Sequence, residues 1–269
     1  MSNLPKVLVA CPTYIGMEYC LDRFVNSIKE IDYDNYDILI IDNSEEEEYF
    51  DELSKIKEIF CLRDKTSEKN PRQKIVDSRN KIIDYALENK YDYILMMDQD
   101  VIPPKEIITE LLKDNQNLVS GLYFNYFNSS GKLKILPVAW ACITPEEFEE
   151  IKKKVKFPSL IKSNTDLRRH LTQEEVESNK TLQVLIPSAG CLLIKKEVFE
   201  KVRYNLLNLQ ELGFTDNTVK TTDDIGFILD AEKKGFKSYC NTRIKCEHLI
   251  AEKYQKDEDG NFIHKGLKS

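Results

Sequence analysis

The chain has 269 residues, 41% of them hydrophobic and 32% charged, with a formal net charge of −7 at pH 7. This length and apolar content suit a soluble protein with one elaborated core, and the acidic balance, with no basic stripe interleaved with aromatics, argues against a nucleic-acid partner. No window reaches the ~18 apolar residues that a membrane span needs. The seven scattered cysteines form no C-x-x-C pair, which predicts reduced thiols and a cytoplasmic setting.

The first element is "KVLVACPTY" (6–14), an apolar run closed by Pro12 and read as a buried strand. Met17, Leu21, Phe24, Val25, Ile28 and Ile31 then follow at helical spacing. "YDILIIDNS" (36–44) is a second buried strand. Glu45 to Glu48 open a helical pattern running through Tyr49, Leu53 and Ile56, where acids favour the positive end of the helix dipole. "IFCL" (59–62) reads as a short strand. Asn70-Pro71 reads as the cap and first turn of a helix carrying Ile75, Ile82, Ile83, Ala86 and Leu87. "YDYILMMDQD" (91–100) is a third strong strand, and Pro103-Pro104 start a short helix. "LVSGLYF" (118–124) is strand again.

The second half is less regular. "KILPVAWACIT" (134–144) and "LQVLIP" (182–187) read as strands, with the charged stretch 145–181 between them as a helical insertion. "GCLLIKKEVFEKV" (190–202) reads as strand into helix. "DDIGFILDAEKKGFKSYC" (223–240) reads as a helix stopped by Gly235 and followed by a strand. The expected organisation is one domain over residues 1–250 and a polar tail over 251–269. Strands alternating with helices predict an α/β protein, a mostly parallel twisted sheet flanked by helices, with ligands at the carboxyl ends of the strands.

Three strands end there in polar signals: Pro12-Thr13-Tyr14, Asp42-Asn43-Ser44 and Asp98-Gln99-Asp100. If Asp98 and Asp100 continue the pleat, they share a face about 6–7 Å apart. Helix capping explains them poorly, because Pro103 or Pro104 already marks the first helical turn. A divalent cation offsets their repulsion and bridges to substrate phosphates. A second acidic doublet, Asp223-Asp224, stands where a helix begins, a place that suits both capping and a rigidly held reacting group.

Taken in order, "VACPTY", "ILIIDNS", "DSRN" (77–80), "MMDQDVIPP", "SAGCLLIKKEVFEKV", "TDDIGFILDAEKKGF" and "CEHL" resemble the GT-A-type glycosyltransferases, family 2 above all, over residues 5 to 250. The resemblance implies the GT-A fold and transfer of a sugar from a nucleotide-diphosphate sugar to an acceptor hydroxyl on a glycan, lipid-linked or protein acceptor. It implies nucleotide-sugar contacts at Pro12, Thr13, Tyr14, Asp42, Arg79, Asp98, Gln99 and Gly190. It implies Mn²⁺ or Mg²⁺ on Asp98, Asp100 and His248, with Asp100 the direct ligand. The family's base aligns with Asp224. The usual Glu-Asp pair is Asp-Asp here, so Asp223 stays beside Asp224 as a candidate. His170 and His264 are read as surface residues.

Two other functions remain in view. A sugar-phosphate nucleotidyltransferase normally brings a Gly-rich basic loop after the first strand, which "CPTYIGMEYC" does not supply. A non-catalytic nucleotide-sugar-binding protein would share the site without the transfer. The single Trp, Trp140 in "PVAWAC", is not part of a Q-x-x-R-W element, which disfavours a processive synthase and leaves an inverting, non-processive transferase as the expectation.

Overall fold

A computed structural model describes residues 4–65, 70–129, 132–157, 161–207, 222–250, 254–256 and 262–264. The first half alternates as its periodicity predicts. β1 (Val7–Thr13), β2 (Tyr36–Asp42), β3 (Phe60–Arg63), β4 (Tyr93–Met97) and β6 (Leu118–Leu122) are separated by α1 (Leu21–Lys29), α2 (Glu48–Leu53), α3 (Pro71–Glu88) and α4 (Ile107–Lys113), with a two-residue β5 (Val101–Ile102) before α4. The second half adds β7 (Phe124–Ser129), β8 (Lys132–Pro137), β9 (Trp140–Cys142), α5 (Pro145–Lys152), β10 (Arg168–His170), α6 (Gln173–Glu177) and β11 (Thr181–Val184). It closes with β12 (Cys191–Lys195), α7 (Lys196–Phe199), α8 (Asp223–Lys233), β13 (Ser238–Lys245), β14 (Glu247–His248), β15 (Tyr254–Lys256) and β16 (Phe262–His264).

Among the described residues, eight strands form one sheet in the order β11-β13-β6-β12-β4-β1-β2-β3. β1 pairs parallel with β2 and β4, β2 with β3, and β13 with β6. β12 is inserted antiparallel between β4 and β6, and β11 lies antiparallel on β13. The fold is thus α/β with a mostly parallel sheet.

Alternation along each strand sends neighbours to opposite faces, and the core divides accordingly. Val7, Val9, Ile38, Ile40, Leu95 and Leu193 pack with Phe24 and Ile28 of α1 and Ile107, Ile108 and Leu111 of α4. Leu8, Ala10, Leu39, Ile41, Ile94, Met96 and Leu192 pack on the other face with Val76, Ile82, Ile83 and Ala86 of α3 and Phe227, Ile228 and Ala231 of α8. A sheet covered on both sides needs continuous apolar strands, which is why the strand segments read as runs.

α3 starts as its sequence requires. Asn70 Oδ1 accepts the Arg72 N–H at 3.1 Å and Pro71 takes the first turn. Arg79 stands three residues from both Val76 and Ile82, on the stripe facing the sheet, and is only 4% exposed. At α8, Thr222 occupies the cap position, but its side chain makes no capping bond. Gly235 stops that helix at φ +88°, a conformation that Gly adopts without a Cβ penalty.

Several segments differ from expectation. β4 ends at Met97, and Asp98 to Val101 turn, with Val101 N–H donating to the Asp98 carbonyl at 3.0 Å; the two carboxylates therefore do not share a pleat. The run 134–144 is two strands, β8 paired with β7 and β9 with β10, with Val138 N–H still donating to the Tyr123 carbonyl at 2.9 Å between them. The insertion at 145–181 is not wholly helical: α5 and α6, each with a Thr capping box, bracket a 3₁₀ turn at Asn164–Asp166 and the strand β10. α4 begins at Ile107, three residues after Pro104. In the segment expected as a polar tail, β15 and β16 pair antiparallel; residues 251–253, 257–261 and 265–269 lie outside the described residues.

His170, expected on the surface, is half-buried, with Nδ1 2.7 Å from the Pro137 carbonyl and its ring against Phe127 and Trp140. Among the described residues no helix is long and apolar enough to cross a membrane.

α8 seats against the segment that precedes it through Gly226. A Cβ there would lie 2.1 Å from the Asn205 carbonyl oxygen, a backbone atom that cannot swing aside. Gly226→Ala is expected to cost about 1–3 kcal/mol or more by overpacking, read as a lower urea midpoint.

Candidate functional site

The carboxyl ends of β1, β2 and β4 open into a cavity of about 250 Å³, lined from the strand ends by Pro12, Thr13, Tyr14, Asn43, Asp98, Gln99 and Asp100. α3 contributes Ile75 and Arg79 to its wall, and the start of α8 contributes Asp223 and Asp224, with Thr222 just before it. A larger cavity, about 670 Å³, lies where β2 begins, at the opposite end of the sheet. Its charged residues are paired, Lys29 with Glu58 at 3.0 Å and Asp37 with Lys6 at 3.3 Å, so the smaller cavity is the one with convergent chemistry.

Arg79 is the hub. Its Nη2 donates to Asp98 Oδ1 at 2.6 Å, and Nη1 stands 3.0 Å from Asp223 Oδ2. The second contact is an ion pair without a directed hydrogen bond. Arg79 Nε and Nη1 and Asp223 Oδ2 are all buried with no hydrogen-bond partner. The guanidinium also lies 5.1 Å from the Tyr204 ring centre. Burial works against its charge, and Asp223 and Asp98 outweigh it, holding Arg79 firmly cationic.

The acids respond in turn. Burial pushes the Asp98 carboxyl up to about 6 against the pull of Arg79, with Asp100 adding repulsion. Its side chain keeps 36% of its area open to the cavity, so solvent there tempers the push. Burial also raises Asp223, again against Arg79. Asp224 sits half-buried at the first turn of α8, with Oδ1 accepting the Ile225 N–H at 2.9 Å.

Asp100 turns the other way. Its Oδ2 lies 3.3 Å from His248 Nε2, and His248 Nδ1 lies 3.0 Å from the Phe124 carbonyl. A carbonyl only accepts, so Nδ1 carries the proton, and the neutral ring aims its Nε2 lone pair at a carboxylate. Protonation of Nε2 satisfies this contact, giving an imidazolium that donates to Asp100 as well as to the Phe124 carbonyl, and a bound cation would satisfy it in the neutral ring. Burial lowers the His248 pKa, but the bond to Asp100 and its charge prevail and raise it. The β5–β14 ladder, with His248 opposite Val101, creates this contact across 148 positions of sequence.

The expected site residues are therefore brought to one region with different surroundings. Asp98, Asp100 and His248 do not form a three-ligand set: among the described residues no group of three or more His, Cys, Asp or Glu could hold a metal ion. Asp98 is held by Arg79, leaving Asp100 and His248 as the pair. Gln99 and Thr13 are buried and hydrogen-bonded to each other, and Gln99 Nε2 donates to the Met17 carbonyl at 2.8 Å, so their polar groups largely serve the protein. Tyr14 is 48% exposed at the cavity. Asp42 is fully buried. Its Oδ1 accepts from the Ser44 N–H and hydroxyl, and its Oδ2 has no partner. Gly190 is tight because a Cβ there would lie 2.8 Å from Asp98 Oδ2 and 2.9 Å from the Tyr123 hydroxyl.

The family follows from a match over residues 9–203 to the model of "Glycosyl transferase family 2". The chain belongs to glycosyl transferase family 2. No curated protein sequence matches it. Among solved structures it is similar to GalNAc-T7, crystallised with UDP, GalNAc and Mn²⁺, at 16% identity and TM-score 0.56, covering 93% of this chain and 45% of that one. It also aligns with S. aureus TarS 1-349 in complex with UDP, at 12% identity and TM-score 0.49, covering 91% of this chain and 60% of that one. The chain thus spans about half the length of these structures, and at such identities the likeness to GalNAc-T7 shows the GT-A fold alone.

Asp223, Asp224 and His248 lie outside the matched span; the fold brings Asp223 and Asp224 to the cavity wall and His248 to Asp100. Sequence reasoning missed Tyr123, which accepts the Gly190 N–H at 3.3 Å and packs its ring edge-on to His248 at 5.0 Å. It also missed Tyr204, whose buried hydroxyl has no partner. Tyr123 ends a strand-like run, as do the residues that were found, but an aromatic there carries no polar signal of its own. The burial of Arg79 was readable from its i, i+3 spacing to Val76 and Ile82.

Arg79 separates two carboxylates that are mostly out of water. Arg79→Met is expected to destabilise the glycosyltransferase by about 3–5 kcal/mol, because it leaves uncompensated buried charge. Arg79→Lys restores only part of this, since an ammonium cannot fork to both acids. Urea midpoints of the three proteins check the order.

Proposed function

We propose that this glycosyltransferase binds a nucleoside-diphosphate sugar, UDP-linked in the first instance, and passes the sugar to an acceptor hydroxyl with inversion, one sugar per encounter and with a divalent cation. The observation that carries the reading is the convergence, on one cavity at the carboxyl ends of a mostly parallel sheet, of Asp98 and Asp100, Arg79 and Asp223-Asp224. The UDP and Mn²⁺ bound by the similar GalNAc-T7 support the choice of donor and metal.

The residues present fit a cation. Asp100 offers a hard oxygen, and His248 offers an imidazole already oriented through Nδ1 by a backbone carbonyl, an arrangement typical of metal-ligating histidines. Asp100 and His248 would hold Mn²⁺ or Mg²⁺, with the diphosphate and water completing the sphere. When bound, the ion supplies Lewis-acid neutralisation of the departing diphosphate.

The chain's own groups do the rest. Pro12, Thr13 and Tyr14 frame the base and ribose from the cavity wall, and Asp42, fully buried behind them, supports that wall through its bonds from Ser44. Asp98 faces the ribose while anchoring Arg79. The unpartnered Arg79 N–H groups suit anionic oxygens of the donor. Gly190 keeps the floor beneath Asp98 low enough for the sugar.

Arg79 binds Asp223, so Asp223 ties α8 to the donor side and Asp224 is the base. Asp224 takes the acceptor hydroxyl proton as that oxygen attacks the anomeric carbon. The carbon–phosphate-oxygen bond breaks on the opposite face, and its electron pair leaves with the nucleoside diphosphate. Transfer of one sugar at a time is supported by the absence of a Q-x-x-R-W element from the sequence.

Thermal shifts and transfer assays with UDP-, GDP- and CDP-sugars, with and without Mn²⁺, test this reading. Wild type should be stabilised by UDP only with the metal, by about 2.7 kcal/mol at a hundredfold excess over Kd. Asp100→Ala should lose that stabilisation. Asp224→Asn should keep it while transfer falls by roughly 10²–10⁴-fold, the usual worth of a general base. A wild-type response to UDP in Asp100→Ala would remove the metal assignment.

A further inference from the structure

Three aromatic rings stand together outside the hydrophobic core. Phe127 lies 4.6 Å from His170 and 6.0 Å from Trp140, centre to centre, and Trp140 lies 4.9 Å from His170. They come from three strands, β7, β9 and β10, and all are partly exposed. None belongs to the three core clusters or packs against them. Each is half-buried, packed against the other two, and keeps part of its surface open to solvent.

The cluster is joined to the transfer site by backbone. Phe124, at the start of β7, gives its carbonyl to His248 Nδ1. Phe127 is three residues further along that strand, about 10 Å away at the usual rise. Trp140 bridges to Ile186, and the Ser188 hydroxyl donates to the Val138 carbonyl at 2.8 Å, two residues before Gly190. These bonds link the cluster through the backbone to the surroundings of His248 and Gly190.

The polar chemistry is also specific. His170 Nδ1 lies 2.7 Å from the Pro137 carbonyl, an acceptor, so Nδ1 carries the hydrogen. In the neutral ring Nε2 is then an acceptor fixed beside an indole and a phenyl ring. Flat apolar faces with a fixed acceptor match a pyranose, which presents C–H on its faces and hydroxyl donors at its edge.

We propose that Phe127, Trp140 and His170 form a platform for the sugar residues of the acceptor, so that the acceptor is a glycan. The proposal rests on the transfer reading above for its place in the reaction. Trp140 stacks on a ring, Phe127 closes its side, and His170 Nε2 accepts from a hydroxyl. These residues select the acceptor and leave donor binding untouched.

The test uses the full chain, in which Trp140 is the only tryptophan. Wild type, Trp140→Ala, Phe127→Leu and His170→Gln are first compared by their melting shift with UDP and Mn²⁺, which reports folding and the donor site. Each is then applied to a printed array of oligosaccharides ending in glucose, galactose, N-acetylhexosamine, mannose or rhamnose. Wild type should retain one class, and that free glycan should change the Trp140 emission where UDP does not. Trp140→Ala should weaken retention at least about tenfold, equivalent to about 1.4 kcal/mol, with its UDP shift intact. His170→Gln should lose less, because its amide can still accept. Retention of no glycan by wild type, or equal retention by wild type and Trp140→Ala with Phe127→Leu, overturns the platform. Absence of a UDP shift in wild type would strike the donor reading alone, since the array needs no donor.

Discussion

The site depends on one buried guanidinium. Arg79 lies on the sheet-facing stripe of α3, and two carboxylates from opposite sides of the cavity meet it. Asp98 comes from the end of β4 and Asp223 from the start of α8, 125 positions apart by their numbers. Burying such charges is unfavourable unless each has a partner, so the three groups fix one another. The cation joins the strand ends that frame the donor to the helix that carries the acceptor-side acid. Asp223 is thereby engaged, whereas the neighbouring Asp224 stands half-buried at the cavity wall.

A second constraint runs from the turn after β4. A continued pleat would have pointed Asp98 and Asp100 the same way. The turn at 98–101 separates them, one to Arg79 and one to His248. Repulsion between the acids is thereby answered twice, by a fixed cation on one side and by a histidine on the other. Gly190 is needed because Asp98 and Tyr123 crowd the place where its side chain would be. The two acids thus have distinct partners, although the motif reads as one unit.

The outer part of the molecule follows a different logic. From β7 to β11 the described residues form short strands and two short capped helices, with a small apolar cluster around Ala139, Leu171 and Val184. Arg169 bonds both Glu147 and Glu175, the residues that also complete the capping boxes of α5 and α6. This network orders the charged residues around that cluster. The segment carries His170 to Phe127 and Trp140, beside the transfer site rather than within it.

The sequence by itself determined the apolar runs of β1, β2 and β4, the Asn70-Pro71 start of α3, the Gly235 stop and the alternation that makes a mostly parallel sheet, because each depends on residues within a few positions of one another. It also marked Asp98, Asp100 and Asp223-Asp224 as acids in need of an explanation. Only the tertiary structure decided which acid meets which partner. The Arg79–Asp223 pair, the Asp100–His248 contact and the tyrosines at Gly190 and Arg79 are long-range closures whose members carry no local sign of each other. The break of the 134–144 run between two ladders was hidden for the same reason: a strand's partner is chosen by the sheet that receives it, and residues of equal apolarity on either side of Pro137 give no hint that the partner has changed.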